Sequence, residues 1–166
     1  MIQVYTGNGK GKTTAALGLA IRAVGAGKKV FIGQFIKGKL YSELKALKKI
    51  KDIRVEQFGR GCFIRRRPDK KDIEAAQKGL EKVKKFVLGK FDVVILDEIN
   101  IAIKLGLLET NEVLKFIRRT PKKIELILTG RNAPEEILKA ADLVSEIKEI
   151  KHYYKKGLKA RRGIEF

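Results

Sequence analysis

The feature that most constrains this chain is the glycine-rich segment Thr6–Thr14, TGNGKGKTT. It follows a short apolar run, Ile2–Thr6, and precedes a stretch that is predicted to be helical from about Thr13 to Gly25 or Gly27. Glycines let backbone amides curl around an anion, and the amino terminus of a helix adds the positive end of its dipole. The order of strand, glycine-rich loop and helix therefore predicts a phosphate-binding loop.

Two side chains at the end of this loop fit the same function. Lys12 supplies a compact positive charge for phosphate oxygens, and the hydroxyl of Thr13 is suited to binding Mg2+. The loop departs from the usual pattern at its first position, where Thr6 stands in place of glycine. Because Gly7 and Gly9 keep the loop flexible, we still expect it to bind phosphate.

Strands and helices alternate along the rest of the chain. After Asp69, which is predicted to cap a helix, apolar residues step by three and four from Ile73 to Val87. Further strands are predicted at Lys29–Ile36, Ile53–Phe58, Asp92–Asp97, Ile124–Thr129 and Leu143–Ile150, and further helices at Leu40–Leu47, Glu112–Arg119 and Pro134–Ala141. This order predicts one α/β domain over residues 1–166, a doubly wound P-loop NTPase-like (RecA-like) fold. Its mostly parallel sheet is flanked by helices, and ligands bind at the carboxyl ends of the strands.

Two acids close the continuous apolar run that precedes them. Asp97 and Glu98 follow Val93–Leu96, a pattern typical of a strand buried on both faces of a parallel sheet. Such a strand would deliver both carboxylates to the sheet edge where the phosphates are expected. There they could hold Mg2+ directly or through water, or, in a hydrolase, Glu98 could orient a water molecule.

The composition limits the range of partners. The excess of 38 Lys+Arg over 19 Asp+Glu gives a formal charge of +19, which favours anionic partners without naming one. The lone Cys62 cannot form an intrachain disulfide, and with the lone His152 it leaves no cluster of soft ligands for zinc or iron–sulfur. Since the sequence has neither a signal peptide pattern nor an apolar run long enough to span a membrane, we expect a cytoplasmic protein.

Short segments along nearly the whole chain match the pattern of one enzyme family. These segments are Gly7–Ala16, Gln34–Gly38, Leu96–Asn100, Thr129–Arg131, Ala141–Glu146, Lys151–His152, Gly157–Ala160 and Gly163–Phe166. In these residues the sequence resembles the P-loop cob(I)alamin (corrinoid) adenosyltransferases. The phosphate loop alone would be unspecific, whereas the Thr129–Arg131 segment and the tail, Lys151–Phe166, make the resemblance specific.

The resemblance implies an enzyme of adenosylcobalamin synthesis or salvage. In this family the Co(I) of a reduced corrinoid attacks the ribose 5′ carbon of ATP, which lies reversed relative to ordinary P-loop enzymes, and intact triphosphate leaves. The implied ATP-binding residues are Gly7, Asn8, Gly9, Lys10, Gly11, Lys12, Thr13 and Thr14. The implied catalytic residues are Lys12, Thr13 and Glu98, with Mg2+ on Thr13 and Glu98 and with Asp97 supporting this site without touching the ion. The family also implies a homodimer.

The corrinoid side departs from the family pattern. Members usually carry aromatic residues, often including tryptophan, on the loop after the third strand, and this chain has no tryptophan. Phe63 supplies the aromatic ring there, and it is expected with Arg131 to contact the corrinoid. The neighbouring run Arg65–Arg67 is expected either to receive an acidic, flavodoxin-like electron donor or to meet the negatively charged side groups of the corrinoid. A solvated surface run is the remaining interpretation.

The tail leaves similar alternatives open. Its basic residues are either a solvated run or a contact with the active site or with another subunit, namely Lys155, Lys156, Lys159, Arg161 and Arg162. The lone His152 is expected to order the tail or an interface.

Two other functions are consistent with a phosphate loop. A nucleic-acid-dependent RecA-like ATPase would use the basic surface and would orient water with Glu98. An aromatic content of 7% without tryptophan offers no obvious stacking platform for single strands and argues against it. A nucleotide-binding regulator without catalysis is the third hypothesis. The product formed from ATP in the presence of a reduced corrinoid distinguishes all three.

Overall fold

The structure is a computed structural model that describes residues 1–39, 41–61, 67–87 and 90–165, with only the backbone at 86 and 87. Within these ranges the strands are Ile2–Thr6 (β1), Val30–Lys37 (β2), Ile53–Gly61 (β3), Val93–Asp97 (β4), Glu125–Thr129 (β5) and Leu143–Glu146 (β6). The α-helices are Lys12–Gly25 (α1), Ser42–Leu47 (α2), Lys70–Val87 (α3), Ile99–Lys104 (α4), Thr110–Arg119 (α5) and Glu135–Ala140 (α6). A short 3₁₀ helix, Tyr153–Lys156, lies in the tail.

The described strands form one six-stranded sheet in the order β3-β2-β4-β5-β1-β6. Each neighbouring pair is parallel, so the sheet is entirely rather than mostly parallel. Since parallel strands need crossover connections, helices cover the sheet and all carboxyl ends meet at one edge. The ends of β1, β5 and β4 bring Thr6, Thr129 and Asp97 to this edge in neighbouring positions. The predicted α/β fold is confirmed.

The side chains of β4 lie alternately on the two faces of the sheet, and both faces are covered, which explains the continuous apolar run in the sequence. Val94 and Leu96 lie in a core that also contains Leu80 of α3. Val93 and Ile95 lie in a second core on the opposite face of the sheet. The second core is covered by the small side chains of α1, namely Ala16, Ala20 and Ala23. Both faces of β4 are therefore buried, as the run of apolar residues predicted.

The predicted cap of α3 is confirmed by a reciprocal pair of hydrogen bonds. The carboxylate of Asp69 accepts from the backbone N–H of Asp72 at 3.0 Å, and the carboxylate of Asp72 accepts from the N–H of Asp69 at 3.1 Å. Two free donors of the first turn are thereby satisfied. The helix then buries Ala76, Leu80 and Val83 along the predicted face.

Two elements differ from the predictions. The predicted strand Leu143–Ile150 ends at Glu146, because the next residue directs its backbone hydrogen bonds to the glycine-rich loop. Ile147 N–H donates to the carbonyl of Thr6 at 2.9 Å, and its carbonyl accepts from Gly9 at 2.7 Å. The helix α4 was not predicted, since its six residues are too few to display a helical period.

No helix in the described ranges is long and apolar enough to cross a membrane.

Candidate active site

The glycine-rich loop joins the end of β1 to the start of α1, in the position predicted for a phosphate-binding loop. Gly7 has a φ of 94°, and a Cβ atom there would lie 2.5 Å from the carbonyl oxygen of Ile147. Gly9 has the same neighbour, at 2.8 Å from an added Cβ. A side chain at either position would therefore collide with the backbone that follows β6, which explains why the loop needs glycine here.

Lys12 is held above the loop in the first turn of α1. Its Nζ donates to the carbonyl oxygens of Gly7 at 2.8 Å and Gly9 at 2.7 Å, and the residue is 7% exposed. Burial lowers the pKa of Lys12, and the nearby guanidinium of Arg131 lowers it further. Carbonyl oxygens are weak partners for an ammonium group compared with an anion. An incoming phosphate is therefore a better partner for Lys12 than the loop itself.

Asp97 is completely buried at the end of β4 and accepts hydrogen bonds on both carboxylate oxygens. Its Oδ1 accepts from the hydroxyls of Thr13 at 2.8 Å and Thr129 at 2.7 Å. Its Oδ2 accepts from Lys37 Nζ at 2.8 Å and Gln34 Nε2 at 3.3 Å. Protein donors thus occupy both oxygens of Asp97, which leaves little room for direct coordination of a metal ion.

Lys37 is a buried cation that the sequence analysis did not assign to a role. Burial lowers the pKa of Lys37, but the adjacent carboxylate of Asp97 outweighs this effect, and the pKa is raised overall. The preceding residue, Ile36, has a φ of 66°, which is unusual for a β-branched residue and coincides with a shift of register between β2 and β3. A lysine that ends the largely apolar strand VFIGQFIK, three residues after the polar Gln34, was the sequence signal for this residue.

Glu98 occupies a different environment from its neighbour Asp97. It has a left-handed backbone with a φ of 60°, and its N–H donates to the Thr129 hydroxyl at 3.0 Å. Burial raises the pKa of Glu98, and the charge of Asp97 raises it further, while Lys37, Lys12 and Arg131 oppose this shift. A cation bound beside Glu98 would favour its ionised form. Backbone strain of this kind is concentrated at functional sites.

A cavity of about 800 Å³ brings these groups together. Lys12, Thr13 and Glu98 line it, and so do residues of the tail. Two regions without a predicted role in the site line it as well, the end of β2 and the start of α2. The lining residues from these regions are Ile36, Lys37, Tyr41, Ser42, Glu43, His152, Gly163, Ile164 and Glu165. The last described residues of the tail, Gly163 to Glu165, therefore lie at the cavity.

Of the two residues predicted to contact the corrinoid, the structure describes Arg131 but not Phe63. Arg131 is exposed and lines the cavity. Phe63 lies outside the described residues, as do Cys62 and the arginines at positions 65 and 66. His152 caps the short 3₁₀ helix of the tail, where its Nδ1 accepts from the N–H of Tyr154 at 3.1 Å. This contact agrees with the interpretation that His152 orders the tail.

The donors in the cavity fit a hard divalent cation. The hydroxyl of Thr13 and the carboxylate of Glu98 are oxygen ligands, which Mg2+ prefers. Within the described part of the chain no group of three or more His, Cys, Asp and Glu side chains could hold a metal ion. A Mg2+ ion here would therefore depend on phosphate oxygens and water for most of its ligands, which is its usual behaviour in nucleotide sites.

Comparison with known proteins identifies the family of this site. Residues 1–166 match the family described as ATP:corrinoid adenosyltransferase BtuR/CobO/CobP. The chain is 38% identical to a corrinoid adenosyltransferase of Pseudomonas aeruginosa over 170 residues, which cover 100% of this chain and 83% of the relative. It is 36% identical to corrinoid adenosyltransferases of Escherichia coli K12 and a Sinorhizobium species, over all of this chain and 85% and 80% of the relatives. The chain belongs to the ATP:corrinoid adenosyltransferase family.

Proposed function

We propose that this protein transfers the 5′-deoxyadenosyl group of ATP to the Co(I) of a reduced corrinoid and releases triphosphate. The family match over residues 1–166 carries the proposal. The new bond joins cobalt to the ribose 5′ carbon, and the bond from that carbon to the triphosphate oxygen breaks. The electron pair of that bond leaves with the triphosphate. Since Co(I) is already a strong nucleophile, the protein has to position the reactants and stabilise the leaving group.

Lys12 and the loop amides hold the triphosphate in this proposal. The burial of Lys12 supports it, because a fixed cation in a poorly solvated site stabilises developing negative charge more strongly than one in water. The N–H of Gly9 is an exception among the predicted ATP-binding groups, since it donates to Ile147. Phosphate contacts are therefore expected mainly from Lys10 to Thr14.

We assign Mg2+ to Thr13 and Glu98, with Asp97 orienting Thr13 through its hydrogen bond. The ion would supply positive charge to the triphosphate oxygens. Thr13 and Glu98 would hold it, and the protein donors around Asp97 support the view that Asp97 does not touch it. Arg131 lies on the same cavity and would meet the corrinoid or the triphosphate, and Phe63 would supply the aromatic contact to the corrinoid.

Further proposals concern the setting of the reaction. We propose that the chain forms a single domain and works in the cytoplasm. The lone cysteine supports the cytoplasmic location, because disulfides are rare in that compartment. We also propose a homodimer. The edge strand β6 supports this, because Leu143 and Val144 on it are 45% and 47% exposed. Sedimentation of the protein and of a Val144→Lys variant tests it, since a dimer that uses β6 should weaken in the variant.

An acidic electron donor of the flavodoxin type is the proposed protein partner, and the formal charge of +19 supports it. Reversal of Arg65, Arg66 and Arg67 to Glu should slow transfer when a protein supplies the electron. A strong chemical reductant should restore the rate. Equal loss with both reductants would place the arginines at the corrinoid instead, and no loss with either would leave them without a role.

The reaction is tested by its products. The protein is incubated with Mg2+, ATP and a chemically reduced corrinoid, and the nucleotide and corrinoid products are identified. Triphosphate together with a light-sensitive cobalt–carbon bond is the expected result. Release of phosphate without adenosylated corrinoid would indicate hydrolysis instead. The hypothesis of a nucleic-acid-dependent ATPase finds no support in the family match.

A further inference from the structure

The tail of the protein is bound to the phosphate loop through the side chain of Lys10. Lys10 Nζ donates to the carboxylate of Glu165 at 2.9 Å and to the hydroxyl of Tyr153 at 3.0 Å. The Tyr153 hydroxyl in turn donates to Glu165. Arg161 donates its backbone N–H to Glu165 at 2.6 Å, and its guanidinium lies 4.9 Å from the centre of the Tyr153 ring. We call these four residues the tail clasp.

The charge at the centre of the clasp is negative. Hydrogen bonds from Tyr153 and Lys10 hold the pKa of Glu165 well below its usual range, so the carboxylate is ionised at neutral pH. Its two cationic partners come from different parts of the chain, Lys10 from the phosphate loop and Arg161 from the tail itself. The bond between Lys10 and Glu165 is thus an ionic link between the loop and the tail.

Beyond the clasp, the tail is held weakly. The short 3₁₀ helix contains no buried residue, and Tyr154 and Ile164 are 72% and 55% exposed. Ile150, just before the tail, is 90% exposed. A segment with so little buried apolar surface opens at low free-energy cost, and loss of a few polar contacts is enough to release it. The clasp therefore has a large influence on where the tail lies.

The clasp lies beside the predicted triphosphate site. Glu165, Gly163 and Ile164 line the same cavity as Lys12 and Thr13. Lys10 of the loop lines this cavity as well. A triphosphate bound there would repel the carboxylate of Glu165 and attract the ammonium group of Lys10. Both effects act in the same direction, against the bond that joins Lys10 to Glu165.

We propose that Glu165 is a displaceable residue of the triphosphate site: its carboxylate holds Lys10, and a bound triphosphate displaces it and releases the tail. This inference rests on the proposed function, in that the loop must bind triphosphate. The tail would then act as a strap, which the clasp holds at the cavity and which opens when the nucleotide binds.

Binding of inorganic tripolyphosphate with Mg2+, measured by calorimetry, tests the competition directly. A Glu165→Gln variant should bind about 2- to 5-fold more tightly than wild type at low ionic strength, because an exposed like charge has been removed, and added salt should reduce the gain. A matched control is Glu149→Gln, since Glu149 pairs with Lys155 in the tail and, among the described residues, forms no ion pair with the loop. The control should bind like wild type.

Hydrogen exchange of residues 153–165 tests release of the strap. Tripolyphosphate should speed exchange of this segment in the wild-type protein. In Glu165→Gln the exchange should already be fast and should not respond to tripolyphosphate. A Lys10→Met variant should resemble Glu165→Gln in its exchange, because it lacks the other half of the ionic link.

The outcomes separate this inference from the proposed function. If wild-type protein does not bind tripolyphosphate, or if Lys12→Ala binds it as well as wild type does, the phosphate-loop assignment fails. If binding is normal but Glu165→Gln binds equally or more weakly, the competition is wrong and Glu165 instead supports the loop. Unchanged or slower exchange of the tail on binding would equally overturn the strap.

Discussion

The hydroxyl of Thr13 donates a 2.8 Å hydrogen bond to the carboxylate of Asp97, which is 84 positions away in the sequence. This bond fixes the first turn of α1 to the end of β4, and therefore fixes the phosphate loop relative to the sheet. Asp97 can play this part because Lys37 balances its charge inside the protein, with a distance of 2.8 Å between the ion pair. Stability and the geometry of the site are thus coupled at one buried carboxylate.

Replacement of Asp97 by Asn is expected to lower the free energy of unfolding by about 3–5 kcal/mol, because it leaves the buried ammonium of Lys37 without its counter-ion. Urea unfolding of the wild type and the variant measures the change. The double variant Asp97→Asn, Lys37→Met should recover part of the loss, since it removes the unpaired charge as well. A single variant as stable as wild type would contradict the importance of this pair.

Replacement of Lys12 by Ala is expected to reduce adenosyl transfer by about 100-fold or more, because the leaving triphosphate loses its nearest fixed cation. The melting temperature should change little, since within the described part of the chain the ammonium group is bonded only to carbonyl oxygens of its own loop. The rate is measured from the absorbance of the corrinoid. Lys28→Ala, at an exposed position beyond α1, serves as the control and should transfer normally. Near-normal turnover of Lys12→Ala would remove the phosphate-loop mechanism.

The sequence predicted those parts of the fold and the site that local chemistry determines. A strand and a helix that flank glycines beside Lys12 and Thr13 indicate a phosphate-binding loop. The acid at the end of an apolar strand then indicates where the metal site would lie. The bond between Lys10 and Glu165 could not be predicted, because it depends on where the two residues lie relative to each other in three dimensions. Lys37 was missed for a similar reason, since only the sheet order places it beside Asp97.

Two glycines in helices should respond in opposite ways to replacement by alanine. Gly18 lies exposed in the middle of α1 with no atom within 4 Å of an added Cβ, so Gly18→Ala should stabilise the protein by about 0.5–1 kcal/mol. Gly79 of α3 packs on the ring of Phe58, and a Cβ atom there would overlap the ring. Gly79→Ala should therefore destabilise the protein by about 1–3 kcal/mol. Unfolding in urea measures both, and equal effects would show that packing on Phe58 does not decide the outcome.

Glu98→Gln is expected to raise the concentration of Mg2+ needed for half-maximal transfer, because a neutral amide is a poorer ligand for a hard cation. The measurement is the transfer rate across a series of Mg2+ concentrations at saturating ATP. Glu136→Gln, in the exposed first turn of α6, is the control and should keep the wild-type requirement. An unchanged requirement in Glu98→Gln would show that Glu98 does not bind the ion.

The same residue should also make the stability of the protein depend on pH. Since burial and then Asp97 raise the pKa of Glu98 above its unfolded value, the folded state holds this proton more tightly than the unfolded chain does. The contribution of Glu98 to stability is therefore fully present below the unfolded pKa of about 4.3 and is lost as the pH rises through the folded pKa. Gln at this position carries no such proton, so Glu98→Gln should gain stability relative to wild type as the pH rises from about 4 to about 8, in the absence of Mg2+. Urea unfolding across this range tests the expectation. A difference in stability between the two proteins that stays constant with pH would mean that Glu98 titrates normally in the folded protein.

Addition of Mg2+ and tripolyphosphate should reduce the gain in stability of Glu98→Gln, because a bound cation stabilises the ionised carboxylate of the wild type.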